Sequence, residues 1–288
     1  MNLTNRSGRI RLGVAISTVA VAVAGSLVVV ATPAHASLNL YRVDNASAND
    51  SVSPKNATVS CNAGDQMLSV GGRINNGAGD VLLTRAYSDN AMSIATASGI
   101  EAINTGASWN VEVFAVCAPA GTVANLTLQQ NTDGPDVLDK FPIVNCPVGT
   151  IAYGGGFKVE NGFGAVAIDE LDFDDNLTWV QAVSYDYVAP PSYSLTVQAF
   201  CGTPPALYSR QEWTSANNSV TPKTETTPTC PVGTQVSGAG GEMTGALGTV
   251  GMATVIPKQT LTTAEVTGRE IGNSGNSWQI EAQAVCVG

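Results

Sequence analysis

The stretch Cys146-Pro-Val-Gly-Thr-Ile-Ala-Tyr-Gly-Gly-Gly-Phe157, CPVGTIAYGGGF, sets a cysteine ahead of a glycine run. A glycine run after a strand can cradle a phosphate, but only with a helix N-terminus behind it. Here the pattern occurs three times. Cys61-Asn-Ala-Gly64 and Cys230-Pro-Val-Gly233 open matching segments, and Gly71-Gly72 and Gly240-Gly241 follow at the matching distance. No helical pattern follows any copy. The glycines are therefore expected where backbones approach closely or where φ must be positive.

The cysteines extend the repeat. They stand at 61, 117, 146, 201, 230 and 286, so the two within each pair are 56, 55 and 56 residues apart. Equivalent cysteines of successive pairs are 84 or 85 residues apart. A lysine precedes each first cysteine by six or seven residues: Lys55, Lys140 and Lys223. An aromatic precedes each second cysteine by eight: Trp109, Tyr193 and Trp278. The closing segments WNVEVFAVC, YSLTVQAFC and WQIEAQAVC alternate with period two, which places the aromatic and the cysteine on one strand face. We read those aromatics as core residues packed against a disulfide.

Six cysteines allow fifteen pairings. The repeat selects Cys61–Cys117, Cys146–Cys201 and Cys230–Cys286, which keeps the units equivalent. Closing a loop of this length stabilises by about 4 kcal/mol in the chain-entropy view. That is large for a unit of roughly 80 residues.

The N-terminus carries Arg6, Arg9 and Arg11, an apolar run from 13 to 31, and Ala34-His35-Ala36. This is the form of a cleaved export signal, residues 1–36. Its removal leaves 252 residues, three times 84, arranged as 37–120, 121–204 and 205–288. Three of thirteen basic residues leave with it and no acids do, so the remaining net charge is 10 − 23 = −13. Such a field repels phosphate backbones and argues against nucleic acid. No other segment is apolar enough to span a membrane. The expected location is extracellular, where disulfides persist.

The second repeat reads as strands at 141–146, 150–159, 165–173, 177–187 and 192–201, with turns at Asn161-Gly162, Asp174-Asp175-Asn176 and Ala189-Pro190-Pro191. Linkers between repeats are short, so the units should pack together. The expected fold is all-β: three tandem antiparallel modules of some 84 residues, each a small sandwich closed by one disulfide, in a pseudo-threefold arrangement. A single β-prism is the alternative.

The pattern C-P-x-G-x-x-x-x-G-G-G followed by W-x-V-x-A-x-A-V-C resembles a module of exported actinobacterial proteins, over the whole chain after the leader. A weaker resemblance is to the β-prism family of vitelline membrane outer layer protein I, which has three repeats with C-P-x-G and G-F-x-L-K-V-E. Gly156-Phe157-Lys158-Val159-Glu160 matches with one residue missing, while Gly72-Arg73-Ile74 and Gly241-Glu242-Met243 depart from it. That resemblance implies carbohydrate binding.

The only histidine, His35, leaves with the leader. Ser-His-Asp and Cys-His catalysis go with it. Paired cysteines leave no thiolate and no Cys/His zinc site. No catalytic residue is assigned, and the chain is read as a non-enzyme. The acidic run 169–176 holds Asp172, Asp174 and Asn176 at D-x-D-x-N spacing, a candidate calcium set. However, Leu177 and Val183 occupy the positions where a calcium loop needs glycine and glutamate, and a solvated hairpin turn is the competing reading. Trp179 and Trp213 do not recur between repeats, which makes them candidates for stacking on a sugar. The expected function is non-catalytic, lectin-like glycan recognition. The alternative is a structural or adaptor role in the cell envelope with a protein partner.

Overall fold

The computed structural model describes residues 38–77, 79–245, 248–272 and 274–288. The leader read at 1–36 lies outside the described residues. Among the described residues the structure is all β. The first repeat holds β1 (Tyr41–Ala46), β2 (Lys55–Val59), β3 (Gln66–Asn75), β4 (Val81–Ser88), β5 (Ala95–Glu101) and β6 (Asn110–Ala118). The second holds β7 (Thr127–Asp136), β8 (Ile143–Asn145), β9 (Ile151–Glu160), β10 (Val166–Phe173), β11 (Trp179–Asp186) and β12 (Tyr193–Gly202). The third holds β13 (Tyr208–Thr214), β14 (Lys223–Thr226), β15 (Gln235–Thr244), β16 (Val250–Pro257), β17 (Ala264–Glu270) and β18 (Gln279–Val287).

The first strand of the second repeat is absent from the sequence reading. This strand, β7, TLQQNTDGPD, is polar, mostly exposed and ends on Gly134-Pro135-Asp136. It lies at the edge of its sheet, pairing with β12 alone. An edge strand with little buried surface leaves no apolar alternation to read.

The three disulfides are Cys61–Cys117, Cys146–Cys201 and Cys230–Cys286, with Cα separations of 5.8, 5.5 and 5.7 Å. They staple repeats in which the first, sixth and third strands pack against the second, fifth and fourth, while each half continues into the sheet of another repeat. The strands form three six-stranded antiparallel sheets, β1-β6-β3-β16-β17-β14, β13-β18-β15-β10-β11-β8 and β2-β5-β4-β9-β12-β7. In every sheet one repeat supplies its first, sixth and third strands, and another supplies its fourth, fifth and second. The first repeat joins the third, the third joins the second, and the second joins the first. This cyclic exchange is the pseudo-threefold arrangement. It pairs the edge of the third strand of each repeat with the fourth strand of another.

The joints sit at equivalent positions: Gly72 opposite Val255, Phe157 opposite Ala86 and Gly241 opposite Leu171. The residue before each is glycine, for a steric reason. A Cβ on Gly71, Gly156 or Gly240 would lie 2.5, 2.7 or 2.4 Å from a carbonyl oxygen of the strand across the joint. The third strands also carry matching bulges, at Leu68, Tyr153 and Ser237, which their register skips. Next to those bulges Ser69, Gly154 and Gly238 bring the three repeats together. A Cβ on Gly154 would stand 2.2 Å from that of Ser69, and one on Gly238 would stand 2.6 Å from the Gly154 Cα. The glycine run is thus a packing device, as the repetition implied.

Candidate functional site

The recurring lysine and aromatic, far apart in sequence, meet in each repeat. Lys55 Nζ lies 5.0 Å above the Trp109 ring, Lys140 Nζ 4.7 Å above Tyr193 and Lys223 Nζ 4.8 Å above Trp278. All three aromatics are fully buried. They stand at the opposite end of the closing strand from the cysteine, eight residues or about 27 Å away. They therefore do not pack on the disulfides, as the alternation had suggested. A shared face says nothing of distance along a strand.

Each lysine donates into the loop between the first and second strands. Lys55 Nζ reaches the carbonyls of Ala48 at 3.1 Å and Asp50 at 2.9 Å, and pairs with the Asp50 carboxylate. Lys223 Nζ reaches the carbonyls of Ala216 at 2.8 Å, Asn218 at 2.9 Å and Trp278 at 2.6 Å, and the Asn218 Oδ1 at 2.8 Å. Lys140 pairs with Asp136 and donates to the Leu138 carbonyl at 2.6 Å. The ammonium does from inside what a bound cation would do: it gathers carbonyls that would otherwise repel. Its hydrogen bond holds the Asp50 and Asp136 carboxyls below the usual carboxylate range. Lys223 faces neutral Asn218, and burial lowers its own pKa from the usual lysine value.

Cross-strand bridges fix the loop ends. Trp109 and Asp50 exchange backbone hydrogen bonds, as do Trp278 and Asn218. Ser47 Oγ accepts from the Val111 N–H at 3.1 Å, and Ser215 Oγ accepts from the Ile280 N–H at 3.0 Å. Each loop tip then holds an exposed aliphatic side chain: Val52 at 63 %, Leu138 (whose N–H binds Asp136 as that of Val52 binds Asp50) at 69 %, and Val220 at 61 %.

Two of these loops line matching open depressions. In the first repeat the depression holds about 200 Å³ and is lined by Ser47, Ala48, Asp50, Val52, Lys55 and Asn56. In the third it holds about 290 Å³, and Ser215, Ala216, Asn218, Val220, Lys223 and Thr224 take the same six places. In the second repeat the loop from Asp136 to Lys140 is one residue shorter than from Asp50 to Lys55. The depressions set an aliphatic patch beside hydroxyl, amide and backbone groups, with the Asp50 carboxylate in the first and the Glu225 carboxylate in the third.

The residues predicted from sequence fall elsewhere or beside these loops. Trp213 is 56 % exposed on edge strand β13, two residues before the Ser215 that lines the third-repeat depression. By register with the disulfide cysteines it replaces Asn45 and Asn131. Those asparagines donate to the Thr58 and Ile143 carbonyls at 2.9 and 2.8 Å. Trp179 is half-buried on β11 opposite Asn145. The strands β18, β15 and β10 lie between the two tryptophans, so they do not share a site.

The candidate calcium residues have separate protein partners. Asp174 spends both oxygens on its own turn: Oδ1 accepts from the backbone of Thr178 and of Trp179 (2.9 Å), and Oδ2 from Thr178 Oγ1 at 2.7 Å. Asp89 makes the same bonds with Ser93 and Ile94 in the first repeat. Asp172 accepts from Gln283 Nε2 and lies 3.5 Å from Arg210, while Asn176 is exposed. Among the described residues no three His, Cys, Asp or Glu side chains are brought together so as to hold a metal. Among them, too, every cysteine is paired and there is no histidine. No family model matches the chain, and comparison with curated proteins found no match.

Proposed function

We propose that this is a secreted, non-catalytic protein that binds glycans through the lysine-capped loops of its first and third repeats. The observation that carries the reading is the recurrence of one depression, built from six equivalent residues, in two repeats. A sugar presents an aliphatic face and a hydroxyl rim, and Val52 or Val220 beside serine, amide and backbone groups complements both. Trp213, two residues before Ser215 in sequence, adds an exposed aromatic plane. Two copies of one weak site on a rigid body give avidity toward a repetitive polymer.

The test is binding of the purified protein to cell-wall fractions and to a glycan array. Val52→Asp and Val220→Asp each weaken binding to polymer, and the double variant abolishes it. Absence of saturable binding to any glycan sinks the reading. A second reading, an envelope adaptor that binds another protein, is favoured by one feature. Val148 and Val232 are fully exposed at the matching Cys-Pro-Val-Gly tips of two repeats. It predicts a specific partner in crosslinking pulldowns, lost in Val148→Ser/Val232→Ser, and no affinity for saccharides.

A further inference from the structure

The sheet β13-β18-β15-β10-β11-β8 carries a row of carboxylates on neighbouring strands. Glu170 on β10 stands opposite Glu242 on β15, and Glu242 stands opposite Glu281 on β18. The equivalent row of one other sheet is Thr254, Arg73 and Glu112, where Arg73 meets Glu112 at 3.6 Å and Glu265 at 3.2 Å. In the remaining sheet it is Arg85, Lys158 and Thr196. Like charges directly opposite one another are unfavourable in a sheet, and the fold tolerates them here on one sheet of three.

Asp169 stands beside the row. It is the extra residue of a bulge in β10, skipped between Ile168 opposite Ser184 and Glu170 opposite Val183. The same bulge in the first repeat holds Thr84, which lines one depression together with Arg85 and Ser98. A bulge therefore turns both of its residues to the same side, Asp169 with Glu170. Asp169 is 4 % exposed, and its Oδ1 has no hydrogen-bond partner. A buried carboxylate oxygen without a partner is costly and calls for an explanation. The nearest cation on this sheet, Arg210, is engaged by Asp172, Asp175, Glu212 and the Phe173 carbonyl.

We propose that Asp169 and the row Glu170–Glu242–Glu281 form a binding site for a linear oligoamine. Successive strands place the carboxylates at intervals of about 5 Å over a length of roughly 10 Å. A chain of ammonium groups joined by short methylene spacers matches such a ladder. Each ammonium can donate to carboxylates on two strands, and the methylenes lie along the sheet. A single metal ion does not fit, because no three of the acids converge.

Burial and mutual repulsion bias the acids of the site toward their protonated forms. Burial, then the neighbouring Glu242, pushes Asp169 up to about 8. Burial, then Asp172, pushes Glu170 up to about 8 as well. The groups facing them are Asp172 on the same strand, Tyr185 on β11, Glu242 on β15, Glu281 on β18 and Arg210 on β13. An oligoamine displaces the protons held by Asp169 and Glu170, so its affinity rises with pH until its own amines lose their charge.

Calorimetric titration of the purified protein with spermidine at low ionic strength tests the site, with butylamine, calcium and a lysine-rich peptide as comparisons. The expected result is spermidine binding at least tenfold tighter than butylamine or calcium, with proton release. Glu170→Gln and Glu242→Gln each weaken it at least tenfold. Glu112→Gln, at the place of Glu281 in another sheet, leaves it unchanged. Thermal melts of both row variants at or above the parent show that lost binding is not lost folding. Equal binding by Glu242→Gln, equal weakening by Glu112→Gln, calcium as strong as spermidine, or binding of the peptide alone each overturns the proposal.

Discussion

Gly154 of the second repeat lies against Ser69 of the first, so closely that a Cβ on Gly154 would come within 2.2 Å of the Ser69 Cβ and 2.6 Å of the Leu68 carbonyl oxygen. Both neighbours belong to a central strand and cannot yield. Gly154→Ala should therefore cost about 2–4 kcal/mol, in the range of overpacked cores and strained backbones. Chemical denaturation measures it, with exposed Val148→Ala as a control expected within about 0.5 kcal/mol of the parent.

Lys223→Met keeps the aliphatic stem over Trp278 but leaves the carbonyls of Ala216, Asn218 and Trp278 without their donor. Buried acceptors stripped of a charged partner cost about 2–3 kcal/mol. The loop 215–224 should loosen, with faster amide exchange there than in β15 or β18. Unchanged stability and unchanged exchange would show that the ammonium is not what shapes the loop.

Asp174 and Asp89 cap equivalent turns. Asp174→Ala should lower stability by about 1–2 kcal/mol, as loss of a side-chain cap does. Asp89→Ala should match it, since the bonds are the same. Melts with calcium and with chelator should coincide for the parent protein. A melting temperature raised by calcium and insensitive to Asp174→Ala would place a cation elsewhere.

Asp169 and Glu170 tie stability to pH. Both carry folded-state pKa values of about 8, well above those of an unfolded chain, near 4. Between those limits the folded protein holds more protons than the unfolded one, so stability falls as pH rises. The favourable state is complete below about pH 4 and is lost by the time the pH passes about 8. Urea midpoints at pH 5.5 and pH 8.5 should differ in that direction. Asp169→Asn and Glu170→Gln should each flatten the slope.

Opening Cys146–Cys201, by Cys146→Ala/Cys201→Ala, releases a loop of 55 residues and should cost about 4 kcal/mol. Because β4 of the first repeat pairs with β9 and β10 pairs with β15, the loss should lower one shared unfolding transition. Separate melting of one third of the molecule would contradict the exchange of strands.

What could be read from the sequence followed from local chemistry. Period-two alternation marks β12 because one face, Tyr193, Leu195, Val197 and Ala199, enters the apolar core while the other carries Ser194, Thr196 and Gln198, and the exposed polar edge strand β7 lacks that mark. Lys223 and Trp278 recur in phase, which shows that each has a fixed role, yet 55 residues separate them and only the folded chain makes them partners. Trp213 could be singled out because it breaks the repeat. Its place beside the loop depends on an edge that sequence does not show.

The sequence by itself determined an all-β chain of three equivalent units and which cysteine pairs with which, since both follow from spacing along one strand or one repeat. The tertiary structure decided which strands lie side by side. Alternation tells which face of a strand is buried but is silent about its edges, where backbone groups accept any antiparallel neighbour. Only the packing of three glycine-lined central strands against one another selects the exchanged partners, and with them the facing of Glu170 and Glu242 across a joint between two repeats.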